Sequence, residues 1–189
     1  MIGVAEAEAR LAGMSEKRAA HARRVARACA ELAARFGAAD ELARLAGLLH
    51  DACREWAPAA LLDAAVRHGI PVGQLEQAQP VALLHGPVAA AELAEEGLCE
   101  AAASAIAVHT VGAAGMTTLQ KCLYLADFSE PGREFPGVGE VRRLAETSLD
   151  DAVAEAARMS LVSVLCKGRG IALGGVELYN ELNDRLGRL

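Results

Sequence analysis

Apolar and charged positions alternate at helical spacing from Ser15 to Phe36. His21, Val25, Ala28 and Leu32 recur at steps of four, three and four and share one face. This predicts a helix capped by Ser15 and stopped at Gly37. Asp40 is the expected cap of the next helix. There Leu42, Ala46, Leu49 and Cys53 share a face and His50–Asp51 fall in the last turns. Pro58 opens a third helix, closed by Gly69 and Pro71. Pro80 opens a fourth through His85. Gly86–Pro87 is expected to interrupt it before AAAELAEEG resumes the pattern to Gly97. Leu98–Val108 reads as a buried helix that delivers His109, and Gly112 and Gly115 mark a loop. Thr117-x-x-Gln120 is a capping box that opens TLQKCLYLADFSE. The stretch from Glu130 to Gly139 reads as loop. Ser148 caps a helix to Lys167, and VELYNELNDRLGRL forms the last one.

No strand is convincing, because glycine breaks short apolar runs, such as IALGGV, that could extend. The expectation is all-α: a single helical bundle over residues 15–189 that ends in a C-terminal helix, with residues 1–14 as a lead-in. Composition agrees. Hydrophobic residues make up 53% of 189, much of it alanine, and aromatics only 3%, which favours closely packed helices.

Charge and cysteine usage narrow the class. The net charge of −6 argues against non-specific nucleic-acid binding. No apolar run approaches the roughly 18 residues of a membrane span. The first ten residues carry acids where a signal peptide carries bases. The expected compartment is the cytoplasm. The five cysteines (29, 53, 99, 122 and 166) are scattered, which suits buried apolar thiols rather than disulfides or a zinc knuckle. Lys17, Arg18, Arg23, Arg24 and Arg27 crowd one early segment. That local basic ground suits either a small phosphorylated ligand or a solvated helix face.

Candidate chemistry lies in the histidines. Of five, His21, His50, His85 and His109 fall on or beside apolar faces of different helices. His68, at a helix end beside Gly69, is expected on the solvent side. Any one inward histidine has a structural explanation. Four together demand many partners from a core poor in polar groups. Asp51 and Asp127 each follow an apolar run, where an unpaired carboxylate is costly. A cation would satisfy both sets. Imidazoles with carboxylates and no thiolate suit iron, manganese or zinc in an open site that can activate water. His50 and Asp51 lie about 100° apart on a helix and can approach one ion from neighbouring angles.

The ordered set His21, His50-Asp51, His85, His109, Asp127 resembles the HD-domain metal-dependent phosphohydrolase superfamily. Within it, LLHDACRE, LLHGPVAAAEL, AIAVHTVGAAGMTTLQKCLYLADFSEPGREFPGV and the terminal YNEL are similar to the bacterial YqeK family. These are symmetrical diadenosine tetraphosphate hydrolases, and the similarity runs from about Arg18 to Asn180. The resemblance implies an all-helical HD domain with a metal centre, usually iron. It implies central cleavage of diadenosine tetraphosphate to two ADP. It also implies metal ligands at His21, His50, Asp51 and Asp127. His85 and His109 would face the phosphates or a second metal, with Arg133 and Arg18 beside the substrate. Asp51, His85 and His109 are then the catalytic candidates. A homodimer stays open.

The chain departs from the family pattern at several positions. Ala19 stands where an aromatic is common, Arg24 where glycine is, and Arg54 where lysine is. Phe128–Ser129 stands where an aromatic–isoleucine pair is common. Lys121 reads as a solvated helix residue, while Arg133, in a Pro-Gly loop, reads as functional. Competing readings are another HD-type nucleotide phosphohydrolase, a nonenzymatic metal or nucleotide sensor, and a structural adaptor without metal. The HD-GYP type is disfavoured because no Gly-Tyr-Pro occurs.

Overall fold

The computed structural model describes residues 2–188, so Met1 of the lead-in and Leu189 of the expected last helix lie outside the described residues. The described residues form helices without any strand. In chain order these are α1 Val4–Arg10, a 3-10 turn Leu11–Gly13, α2 Glu16–Phe36, α3 Asp40–Leu49, α4 Pro58–Arg67, α5 Gln74–Ala78 and α6 Pro80–Glu95. They continue with α7 Glu100–Val108, α8 Thr118–Ser129, α9 Val138–Leu144, α10 Leu149–Cys166 and α11 Leu173–Arg185. The all-α expectation holds.

Local signals set most boundaries. The Ser15 hydroxyl accepts from the Arg18 N–H at the start of α2, and Gly37 ends it in the left-handed region. Thr117 and Gln120 form the capping box of α8, and the Ser148 hydroxyl caps α10. Five expectations need correction. Asp40 is the first residue of α3, not its cap; its carboxylate accepts from the N–H of Glu41. α3 ends at Leu49, with His50 as its C-cap, so Asp51 lies in the turn beyond. α6 runs unbroken through Gly86–Pro87. The IALGGV glycines lie in the first turn of α11, and α9 occupies part of the expected loop.

Alanine and glycine let the helices approach closely. α2 packs on α3, where a Cβ on Gly47 would stand 2.4 Å from the Ala26 Cα. α6 packs on α7, where a Cβ on Gly86 would meet the Ile106 carbonyl at 2.9 Å and the His109 ring at 3.1 Å. α8 lies against α2, α7 and α10. One apolar core joins these helices, and it includes Ala7 and Leu11 of the lead-in and Leu178 and Leu182 of α11. The four helices that carry the inward histidines therefore converge at the centre of the bundle.

Candidate metal centre

Each inward histidine comes from a different helix. His21 lies in α2, His50 caps α3, His85 lies in α6 and His109 caps α7, and all four are buried. Asp51 follows His50, and Asp127 comes from α8. The six side chains meet in one place. His21, His50 and Asp127 can offer ligand atoms within 4.8 Å of one another, and so can His50, Asp51 and His109.

Backbone and carboxylate acceptors fix the rings. His50 Nδ1–H donates to the Gly47 carbonyl at 2.8 Å, three residues back. His85 Nδ1–H donates to Val81 at 2.7 Å, and His109 Nδ1–H to Ile106 at 2.7 Å. His21 Nδ1–H donates to Glu130 Oε1 at 3.1 Å. Carbonyl and carboxylate oxygens only accept, so the proton sits on Nδ1 and each neutral ring turns a bare Nε2 inward. Nε2 of His21 and Nε2 of His50 are buried and have no hydrogen-bond partner among the described residues. His21 Nε2 stands 3.0 Å from Asp127 Oδ1 and 3.8 Å from Asp51 Oδ2. His50 Nε2 lies 3.4 Å from Asp51 Oδ2 and 3.8 Å from Asp127 Oδ1. Lone pairs facing carboxylates at such distances repel unless a cation lies among them. The residues present therefore fit a metal ion.

His85 and His109 differ from that pair. Their Nε2 atoms are 3.2 Å apart, and the Thr110 hydroxyl lies 3.2 Å from one and 3.1 Å from the other. One hydroxyl proton can satisfy only one of them. Asp51 joins the two halves: its Oδ1 lies 3.3 Å from His85, while its Oδ2 faces His50 and His21 and pairs with Arg18.

With protons as the only counter-charges, electrostatics follow the same layout. Burial opposes ionisation of Asp51, but His50 and His85 outweigh it and hold the carboxyl well below its usual range. Asp127 is likewise held low against burial, by the adjacent His21 ring when that ring is protonated and by the charge of His50. Burial works to lower His50, yet Asp51 raises it. Burial, then the charge of His50, pushes His109 down to about 3. The site attracts positive charge and keeps at least one imidazole neutral.

Arg18 and Arg133 both reach the centre. Arg18 pairs with Asp51 while its buried Nε has no acceptor. Arg133 donates to the Asp127 backbone carbonyl at 2.9 Å and to its carboxylate at 2.6 Å. Beside them a cleft of about 620 Å³ opens, lined by His109, Asp127, Arg133, Phe128 and Phe135 among others. The two phenyl rings meet edge to face at 5.2 Å.

Sequence reasoning missed several participants. Glu130 is fully buried and accepts from His21 and from Arg24, at 2.6 Å from its Nε. Burial opposes its ionisation, but these partners and the Gly132 N–H bring the carboxyl down to about 2. Its signal was its place three residues after Asp127, and that of Arg24 its place one turn after His21. Two further expectations fail. Lys121 is buried and donates to Asp150 at 2.6 Å, tying α8 to α10. The His68 side chain is turned inward and contacts Glu92 of α6 at 3.0 Å.

The model of the HD domain family matches residues 18–132, more than half of the chain and all six converging side chains. The chain belongs to the HD domain family. A Bacillus subtilis (strain 168) member named symmetrical bis(5'-nucleosyl)-tetraphosphatase is 34% identical over 89% of this chain and 91% of its own. A Staphylococcus aureus protein of the same name is 31% identical over 92% and 87%. The family likeness extends to shape. A Clostridium acetobutylicum crystal structure described as a predicted HD superfamily hydrolase involved in NAD metabolism superposes with a TM-score of 0.91. It is 30% identical and covers 98% of this chain and 99% of its own. Among the described residues no helix is long and apolar enough to cross a membrane.

Proposed function

We propose that this HD domain protein is a metal-dependent hydrolase that cuts diadenosine tetraphosphate at its central phosphoanhydride, giving two ADP. The observation that carries the reading is the pair of proton-free, unpartnered Nε2 atoms of His21 and His50 facing Asp51 and Asp127. The relatives named symmetrical bis(5'-nucleosyl)-tetraphosphatase, similar over nearly the whole chain, supply the substrate.

His21, His50, Asp51 and Asp127 would hold the ion. A nitrogen–oxygen donor set suits iron, manganese or zinc, and the likeness to the symmetrical hydrolases favours iron. When bound, the cation supplies Lewis-acid activation of water and of a phosphoryl oxygen. The remaining work belongs to the chain. Asp51, between the two histidine pairs, orients the attacking water and accepts its hydrogen bond. Water's oxygen bonds to an inner phosphorus, and the bridging P–O bond breaks. One ADP keeps the new oxygen and the other leaves as the diphosphate. His85 and His109 present bare Nε2 atoms, which accept rather than donate, so beside Thr110 they would meet the phosphoryl oxygens through a second cation where negative charge gathers. The unused Nε–H of Arg18 and the Arg133 guanidinium neutralise the flanking phosphates. Phe128 and Phe135, which line the cleft, offer an adenine aromatic surface.

Metal analysis of the purified protein, paired with chromatography of products from a panel of dinucleotides, tests the reading. The expected result is one transition metal or two per chain and ADP as the sole adenosine product. ATP plus AMP, or no turnover with metal in excess, would overturn it. Asp51→Ala should abolish turnover with helical content retained.

A further inference from the structure

A substrate cut at its middle carries two equal halves, and both must leave the reacting bond in space the protein provides. The cleft beside Phe128 provides for one. A second cavity of about 150 Å³ adjoins it, and Thr110 lines both spaces. Thr110 is also the residue whose hydroxyl touches His85 and His109. The second cavity shares Gln79, Ala82, Arg169 and Gly170 with an open groove of about 570 Å³. That groove is bounded by Val81, whose carbonyl holds the His85 ring. Free space therefore reaches the His85–Thr110–His109 cluster at His109 and Thr110 from the first cleft and at Thr110 from the second cavity.

Charge marks the second side for an anion. On a chain of net charge −6, most arginines near acids are paired. Lys167 and Arg169, in the loop between α10 and α11, are exposed and make no ion pair among the described residues. Lys167 lines both the first cleft and the second cavity, and Arg169 lines the second cavity and the groove. The second cavity also has an aliphatic lining, with Leu83, Leu161 and Ile171. Unpaired bases over an aliphatic wall are the chemistry for a nucleoside phosphate. The Gln79 side-chain amide, 3.4 Å from the Gly170 carbonyl, ties this loop to the start of α6.

Resting on the activity proposed above, we infer that the second cavity and its groove take the far ADP half of the dinucleotide. Lys167 lies between the halves, and Arg169 grips the far half's phosphate. Arg169 lines no part of the first cleft, so it reports on the far half alone.

The test is calorimetric titration of the manganese-loaded protein with ADP, together with steady-state kinetics on diadenosine tetraphosphate. Wild type should bind two ADP per chain. Arg169→Glu should bind one, and its kcat/KM should fall at least tenfold through KM, with Arg169→Lys restoring most of the loss. A single ADP site in wild type, or an Arg169→Glu variant with two sites and unchanged KM, would overturn the inference. A wild type that binds two ADP but cleaves no dinucleotide would support the two subsites and overturn the proposed reaction instead.

Discussion

Replacing Glu130 with glutamine removes a charge from behind the metal centre and leaves the volume almost unchanged. Glu130 accepts from His21 Nδ1 at 3.1 Å, Arg24 Nε at 2.6 Å, Arg24 Nη2 at 3.1 Å and Gly132 N at 2.5 Å. Glutamine keeps one oxygen and gains an NH2. Whichever way the amide turns, two of the four contacts become donor against donor. Bonds to a charged acceptor contribute about 1.5–3 kcal/mol each. The Arg24 side chain is 41% exposed, so water replaces part of its loss. A net destabilisation of about 2 kcal/mol is expected after that discount. The larger effect falls on the ion, because the carboxylate both aims the His21 ring and enriches its Nε2. Loss of such a partner typically lowers metal affinity about 10–100-fold. Urea unfolding of the metal-free protein measures the first effect, and manganese titration the second. Arg24→Gly separates them: it should cost stability but leave affinity within about threefold, since Glu130 still receives His21. A Glu130→Gln protein that binds manganese within twofold of wild type would refute the reasoning.

Further outcomes follow from the same geometry. Gly47→Ala places a Cβ 2.4 Å from the Ala26 backbone, so α2 and α3 must part. It should cost about 1–3 kcal/mol and weaken metal binding through His50; a urea midpoint equal to wild type would show that the helices do not meet there. The Glu92 carboxyl is held below its ordinary value, first by its hydrogen bond with His68 and then by Arg67, against burial. Its contribution to stability is therefore present above the unfolded value near pH 4.5 and is lost as pH falls through the folded value. Glu92→Gln should flatten the acid limb of a stability–pH curve there, and an unchanged limb would contradict the assignment.

Most of the fold was legible because capping residues and helical period agreed. Ser15, Gly37, Thr117, Gln120 and Ser148 all act where their chemistry places them. The readings that failed share a cause in tertiary packing. Pro87 costs a helix about 3 kcal/mol or more locally, yet α6 continues. α6 packs against α4 and α7, and Gly86 lets it lie against the end of α7. Gly174 falls inside a helix because a Cβ there would strike the Gly112 carbonyl at 2.6 Å. The short helices α5 and α9 are too brief for a hydrophobic period to register. At the centre, the pattern of histidine and aspartate on apolar faces anticipated which side chains converge. It could not anticipate Glu130, Thr110 or the phenylalanine pair, whose placement depends on how α8 and the loop after it lie against α2 and α7. Arg24 was visible as a base but not as the partner of a buried acid 106 residues away.

Crystals soaked in manganese and phased on its anomalous signal test the centre most directly. The expected result is an anomalous peak bounded by Nε2 of His21, Nε2 of His50 and the carboxylates of Asp51 and Asp127, with every Nδ1 still turned to its acceptor. A peak elsewhere in an active protein, or one of these histidines reaching the ion through Nδ1, would contradict it.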